Sequence, residues 1–254
     1  MGLFGPRTFL DRDIEQWHLD HWKILIDRFG DDVTLADTPI VLPTREFFPP
    51  TDVVGHEKAE HILACVKAAM KLDDNWPCRL EPQGTSNVGA RVSEFVAIEG
   101  DHAPHGTFRL DAEVGAVITY APDLLDDPTG LVATFAHELS HYLLSSEYDL
   151  LEDETHELLT DLAVAYSGFG IFGANSAFHF EQHGDAFSQG WRSRGSGYLS
   201  PQSWAFALAV FGELRGGGDD MGRYLKADID SERRKAVKYL RKNPHLLQPL
   251  RASA

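Results

Sequence analysis

The sequence predicts an α+β chain: a small antiparallel or mixed sheet beside one central helix, followed by a helical C-terminal lobe. Three observations predict it. Between Pro77 and Tyr120 the apolar residues come in short β-like runs punctuated by Gly84, Gly89, Gly100 and Gly106. From Pro128 to about residue 146 the chain is almost continuously apolar after an Asp-Pro start, as a largely buried helix would be. From Ser200 onward the apolar residues recur at helical intervals, strongly over Trp204 to Leu214 and on one face over 230 to 242. The expected division is an N-terminal helical and sheet lobe over 1–127 and a helical lobe over 128–254, together one compact unit.

The elements follow in order. Ile14, Trp17, Trp22, Leu25 and Phe29 at helical intervals, closed by Gly30, predict a helix from Asp11 to Phe29. His18 and His21 on it read as surface residues. Residues 38 to 44 form an extended stretch bounded by prolines, and a second helix is expected from Asp52 to Lys71. On that helix His56 and His61 are five apart, which turns them to different faces. The β-like runs are Cys78 to Leu80, Phe95 to Ile98, Thr107 to Leu110 and Val114 to Tyr120. Asp127 and Pro128 suit the N-cap and first position of the central helix. A further helix should start near Asp153 and run through Tyr166 to Gly168. The glycine-rich stretch 168 to 175 then either packs its backbone against a neighbouring helix or forms a mobile wall. The basic cluster Arg233, Arg234, Lys235, Lys238, Arg241 and Lys242 reads as a solvated helix face.

Charge narrows the partners. Against 23 Lys and Arg stand 39 Asp and Glu, a formal charge of −16, so nucleic acid and anionic lipid surfaces are repelled and neither is expected as a partner. No apolar run approaches the ~20 residues of a membrane span, and the first residues lack the apolar core of a signal peptide. A cytoplasmic protein without membrane attachment is expected. Cys65 and Cys78 lack CxxC spacing, which argues against a disulfide framework or a cysteine metal site. Nothing in the sequence fixes an oligomeric state.

The chemistry lies in His137-Glu138-Leu139-Ser140-His141. Histidines four apart on a helix are about 400° apart around its axis, so both imidazoles leave one face and can grip one cation. Glu138, about 100° from His137, reaches a water on that cation without being a ligand. This is the layout of a zinc site for hydrolysis, with Glu138 as general base. Such a site needs a third protein ligand. The next helix offers Glu157 and Asp161 on one face, with His156 beside them.

Over residues 132 to 166 the chain resembles the gluzincin group of zincin metallopeptidases. The resemblance implies a zincin-like fold, bound zinc and hydrolysis of peptide bonds in a peptide or protein substrate. It also implies Glu157 as the third ligand and Asp161 as acceptor of the spare N–H of His137 or His141. Metzincins are excluded, because Leu144 and Glu147 stand where they need Gly and His. His156, or Asp161 directly, remains a rival ligand, although only Glu157 as ligand gives both acids on the shared face a role. In zincin folds a strand like Val114 to Tyr120 lies beside the cleft and pairs with extended substrate. His183 or Tyr198 is the candidate donor to the oxyanion. His179 and His183, four apart, form a weaker second metal pattern. The rival function is a non-catalytic module that binds a partner through its C-terminal helices.

Overall fold

The computed structural model describes residues 8–30, 35–84, 105–147, 150, 155–181, 198–217 and 221–252. In chain order the elements are α1 (Arg12–Phe29), α2 (His56–Ala69), β1 (Cys78–Pro82), β2 (Gly106–Asp111), β3 (Gly115–Tyr120), α3 (Pro128–Leu144), α4 (His156–Tyr166), α5 (Gly170–Glu181), α6 (Pro201–Leu214), α7 (Ala227–Lys242) and α8 (Gln248–Arg251). The fold is α+β. Its two compact units are Pro43–Asp153, and Met1–Leu42 with Glu154–Ala254. Among the described residues no helix is long and apolar enough to cross a membrane.

The unit Pro43–Asp153 is built on a mixed sheet of strand order β1-β3-β2. β2 and β3 form an antiparallel hairpin, Gly106 opposite Tyr120 and Phe108 opposite Ile118. Asp111 turns that hairpin by accepting the backbone N–H groups of Glu113 and Val114, and Gly115 supplies the positive φ of 85° that ends it. β1 pairs in parallel on the other side of β3. The strand expected to accept substrate is therefore central, with both edges taken, and among the described residues β1 and β2 are the edge strands. The buried face of β3 packs on α3, where Tyr120 meets Phe135 edge to face at 6.0 Å. Tyr142 ties the far end of α3 to the sheet by donating its hydroxyl to the Pro77 carbonyl at 3.1 Å.

α2 starts at His56, later than the expected Asp52, after Gly55 adopts a φ of 63°. His56 and His61 do face apart, His56 toward the Tyr120 hydroxyl and His61 toward the Pro49 carbonyl. The run Phe95 to Ile98 lies outside the described residues.

The other unit is helical. α1 runs as expected, with Asp11 capping it and Gly30 closing it. His18, expected at the surface, is fully buried between the rings of Trp17 and Phe206. The glycine-rich segment takes the close-packing alternative. Gly168 has a φ of 88° and lies against the Pro39 carbonyl, and a side chain on Gly173 would run into the indole of Trp204. α5 then continues to Glu181, so His179 sits on a helix that the sequence did not announce. Arg233 also departs from the expected solvated face: it is buried and holds Asp230 with two nitrogens at 2.7 and 3.1 Å.

Candidate metal centre

α3 owes its position to local sequence. Asp127 caps it by accepting the Gly130 N–H at 3.0 Å, and Pro128 occupies the first turn, where a missing N–H is harmless. Eleven of its residues are buried, including Glu138, Ser140 and His141, and burial demands that each polar group among them has a task. Ser140 satisfies its hydroxyl within the helix, on the Ala136 carbonyl at 2.8 Å.

The two histidines converge. The imidazoles of His137 and His141 are 4.7 Å apart at 83°, with their Nε2 atoms 3.1 Å from each other. Two nitrogens on one tetrahedral zinc, each bound at about 2.0–2.1 Å, stand roughly 3.3 Å apart. The pair is thus close to the spacing one ion requires. The Glu157 carboxylate belongs to the same group, in which the ligand atoms all lie within 4.8 Å of one another. Two imidazoles and a carboxylate are a donor set typical of catalytic zinc, so the residues present fit the metal. Among the described residues no other group of three or more His, Cys, Asp or Glu side chains comes together in this way, and the group includes neither His156 nor Asp161.

Glu138 is only 6% exposed, next along the helix from His137. Its carboxylate lies against bare backbone of β2, because a Cβ on Gly106 would stand 2.9 Å from Glu138 Oε1. His141 stacks on Phe108, with the rings 12° from parallel and 6.1 Å between centroids. Neither Gly106 nor Phe108 stood out in the sequence as a site residue, though both lie at or beside a predicted strand and, two apart, on one face of it. Asp161 is buried on α4, where its Oδ2 accepts the Leu199 N–H at 2.9 Å. That bond fixes the backbone next to Tyr198, which is half-buried. His183 lies outside the described residues.

What fold and site define together is an α+β chain with a possible metal-binding group of His137, His141 and Glu157. Comparison with protein-family models, with curated proteins and with solved structures found no match.

Proposed function

We propose that the protein is a zinc-dependent metallopeptidase with a zincin-like, gluzincin-type centre, acting on a peptide or protein substrate. One observation carries this reading: His137, His141 and Glu157 gather their ligand atoms while Glu138, the residue a hydrolytic site needs as base, is buried beside them. A site that only stabilised a fold would have no use for that carboxylate and would close its fourth position with another side chain.

His137, His141 and Glu157 would hold zinc, which when bound polarises the scissile carbonyl and eases deprotonation of water. Glu138 takes a proton from the attacking water at its carboxylate and returns it to the leaving nitrogen as the C–N bond breaks. Asp161, through the spare N–H of a ligand histidine, would fix its tautomer. Tyr198 or His183 would donate a hydrogen bond to the oxyanion. Any substrate strand that adds to the sheet would do so at an outer edge, since β3 is already paired on both sides.

Glu138→Gln tests the reading, because it keeps the side chain's size and every proposed ligand. The variant should fold and bind zinc like wild type while cleavage falls by roughly 10²- to 10⁴-fold, the usual contribution of a general base. The measurement is the set of new peptide termini that wild type generates from a peptide library and that chelator abolishes. Equal cleavage by both proteins would refute Glu138 as base. Zinc-loaded wild type that yields no product across broad libraries would favour the partner-binding module instead.

A further inference from the structure

We propose that β2 positions both halves of the centre: Phe108 holds the imidazole of His141, and the bare backbone at Gly106 is the slot that holds the carboxylate of Glu138. The inference rests on the hydrolytic reading above and adds two residues to it, both outside the group of His137, His141 and Glu157.

The geometry begins with the register of one strand. Gly106 and Phe108 point to the same side of β2, as alternate residues must. Their partners on β3, Tyr120 and Ile118, are both buried, and Tyr120 packs on Phe135 of α3. This side of the hairpin therefore faces α3. β2 and α3 run alongside each other in the same direction, since Gly106 abuts Thr134 and Glu138 while Phe108 reaches His141 and Tyr142. Two successive positions of the strand's inner face thus meet two successive parts of the His-Glu-Leu-Ser-His turn.

At Gly106 the packing leaves no room for a side chain. An added Cβ would lie 2.5 Å from Thr134 Cγ2, 2.9 Å from Glu138 Oε1 and 3.0 Å from the Thr119 carbonyl. Gly106 has an ordinary φ, so no left-handed backbone explains the glycine. Close approach of the strand to the helix does, and the carboxylate sits in the space gained. At Phe108 the ring lies nearly parallel to His141 and is itself held by Tyr142 at 5.7 Å. Tyr142 is fixed in turn, by its bond to Pro77 and by the edge-on ring of Trp76 at 5.0 Å. The His141 imidazole is therefore backed by a braced flat surface. A ligand so held loses less rotational freedom when it binds an ion, and partners outside the ligand shell are commonly worth 10- to 100-fold in metal affinity.

The two residues separate in experiment. Phe108→Leu keeps apolar volume and removes the flat ring, whereas Phe108→Tyr keeps the ring. Cobalt(II) titrated into metal-free protein reads both affinity and ligand geometry through its visible spectrum. Phe108→Leu should bind cobalt about 10- to 100-fold more weakly with altered bands, and Phe108→Tyr should match wild type. For Gly106→Ala, a Thr134→Ala background removes the tightest contact and leaves the one to Glu138. That double variant should bind cobalt normally yet lose about 10²-fold in kcat, the scale of a 1 Å misplacement. In a Glu138→Gln background the same change should cost no further activity, because its route runs through Glu138. Wild-type cobalt binding by Phe108→Leu, equal weakening by Phe108→Tyr, or an undiminished effect of Gly106→Ala in the Glu138→Gln background would each overturn the inference alone. Wild-type protein that binds neither cobalt nor zinc overturns the hydrolytic reading and this inference with it. Wild type that binds metal and cleaves nothing overturns the former and, with it, the role given to Gly106, and the cobalt titration still decides whether Phe108 positions His141.

Discussion

A neutral imidazole carries one donor and one acceptor, and His18 satisfies neither among the described residues. It is fully buried, both ring nitrogens lack a hydrogen-bond partner there, and Trp22 Nε1 one turn further on shares that condition. Leaving such a group unpaired in the interior costs about 1–3 kcal/mol. Burial first, and the nearby His21 second, push the His18 pKa down from 6.5 to about 3. The direction of the pH effect follows from linkage. Above pH 6.5 neither folded nor unfolded His18 is protonated and no pH term arises. Below it the unfolded chain binds a proton that the folded chain refuses, so stability falls until the folded pKa is reached near 3. At pH 5 the loss from this one residue is about 2 kcal/mol. His18→Leu should therefore be more stable than wild type at pH 7 by about 1–3 kcal/mol, and the gap should widen as pH drops toward 4. Urea midpoints at several pH values measure it, and parallel curves for the two proteins would contradict the account. The sequence did contain a warning. His18 falls on the stripe of Trp22, Leu25 and Phe29 at spacings of four, seven and eleven, which puts it on the buried face of the helix.

Elements fixed by neighbouring residues were legible, and those fixed by distant ones were not. The start of α3 at Asp127 and Pro128 was readable because a cap and a first-turn proline act within four residues. The β2–β3 hairpin was readable for the same reason. The parallel pairing of β1 with β3 was not, since nothing near Cys78 specifies a partner some 38 residues on. α4 starts behind Thr155, which makes no side-chain cap, so the start expected near Asp153 was placed only to within a few residues. α5 hid behind its glycines. Read alone, Gly168, Gly170 and Gly173 argue against a helix, yet two of them are there because other elements press on them. A Cβ at Gly170 would lie 2.7 Å from Leu208 Cδ2, and one at Gly173 would meet three ring carbons of Trp204, two of them at 2.7 and 2.9 Å. α6 is buried continuously from Ser203 to Phe211, so the Trp204 indole has little room to retreat. Gly173→Ala should accordingly destabilise the protein by about 1–3 kcal/mol despite its better helix propensity. Because the loss comes from one contact, Trp204→Leu should absorb it, and the double variant should be more stable than the two single effects summed. A double-mutant cycle from denaturant midpoints reads this, and strict additivity would mean that the indole is not the obstacle.

For the molecule as a whole, any metal that binds only the folded chain joins binding and folding in one equilibrium. A ligand that binds only the folded state stabilises it by RT ln(1 + [L]/Kd), about 2.7 kcal/mol when zinc stands at a hundred times its Kd. The histidine pair of the centre was legible in the sequence, because four-residue spacing on a helix is a local property. The choice of Glu157 rested on the resemblance and on the face it shares with Asp161, and its gathering with His137 and His141 is a fact about the folded chain and not about spacing. Melting temperature against free zinc therefore tests the ligand set with no substrate at all. A divalent ion also screens the mutual repulsion of a chain with a formal charge of −16, so some stabilisation by any such ion is expected at any site. Magnesium at equal concentration supplies that baseline, since it prefers oxygen ligands and binds poorly to an imidazole pair. Wild type should melt higher in zinc than in magnesium, and chelator should erase the difference. His141→Ala should show the magnesium response in both ions. Glu157→Ala should need far more zinc to reach the wild-type gain, whereas His156→Ala should follow wild type, because His156 stands outside the group. The reverse order of these two variants would transfer the third ligand to His156. A zinc response that survives His141→Ala intact would place the metal elsewhere and remove the foundation of the hydrolytic reading.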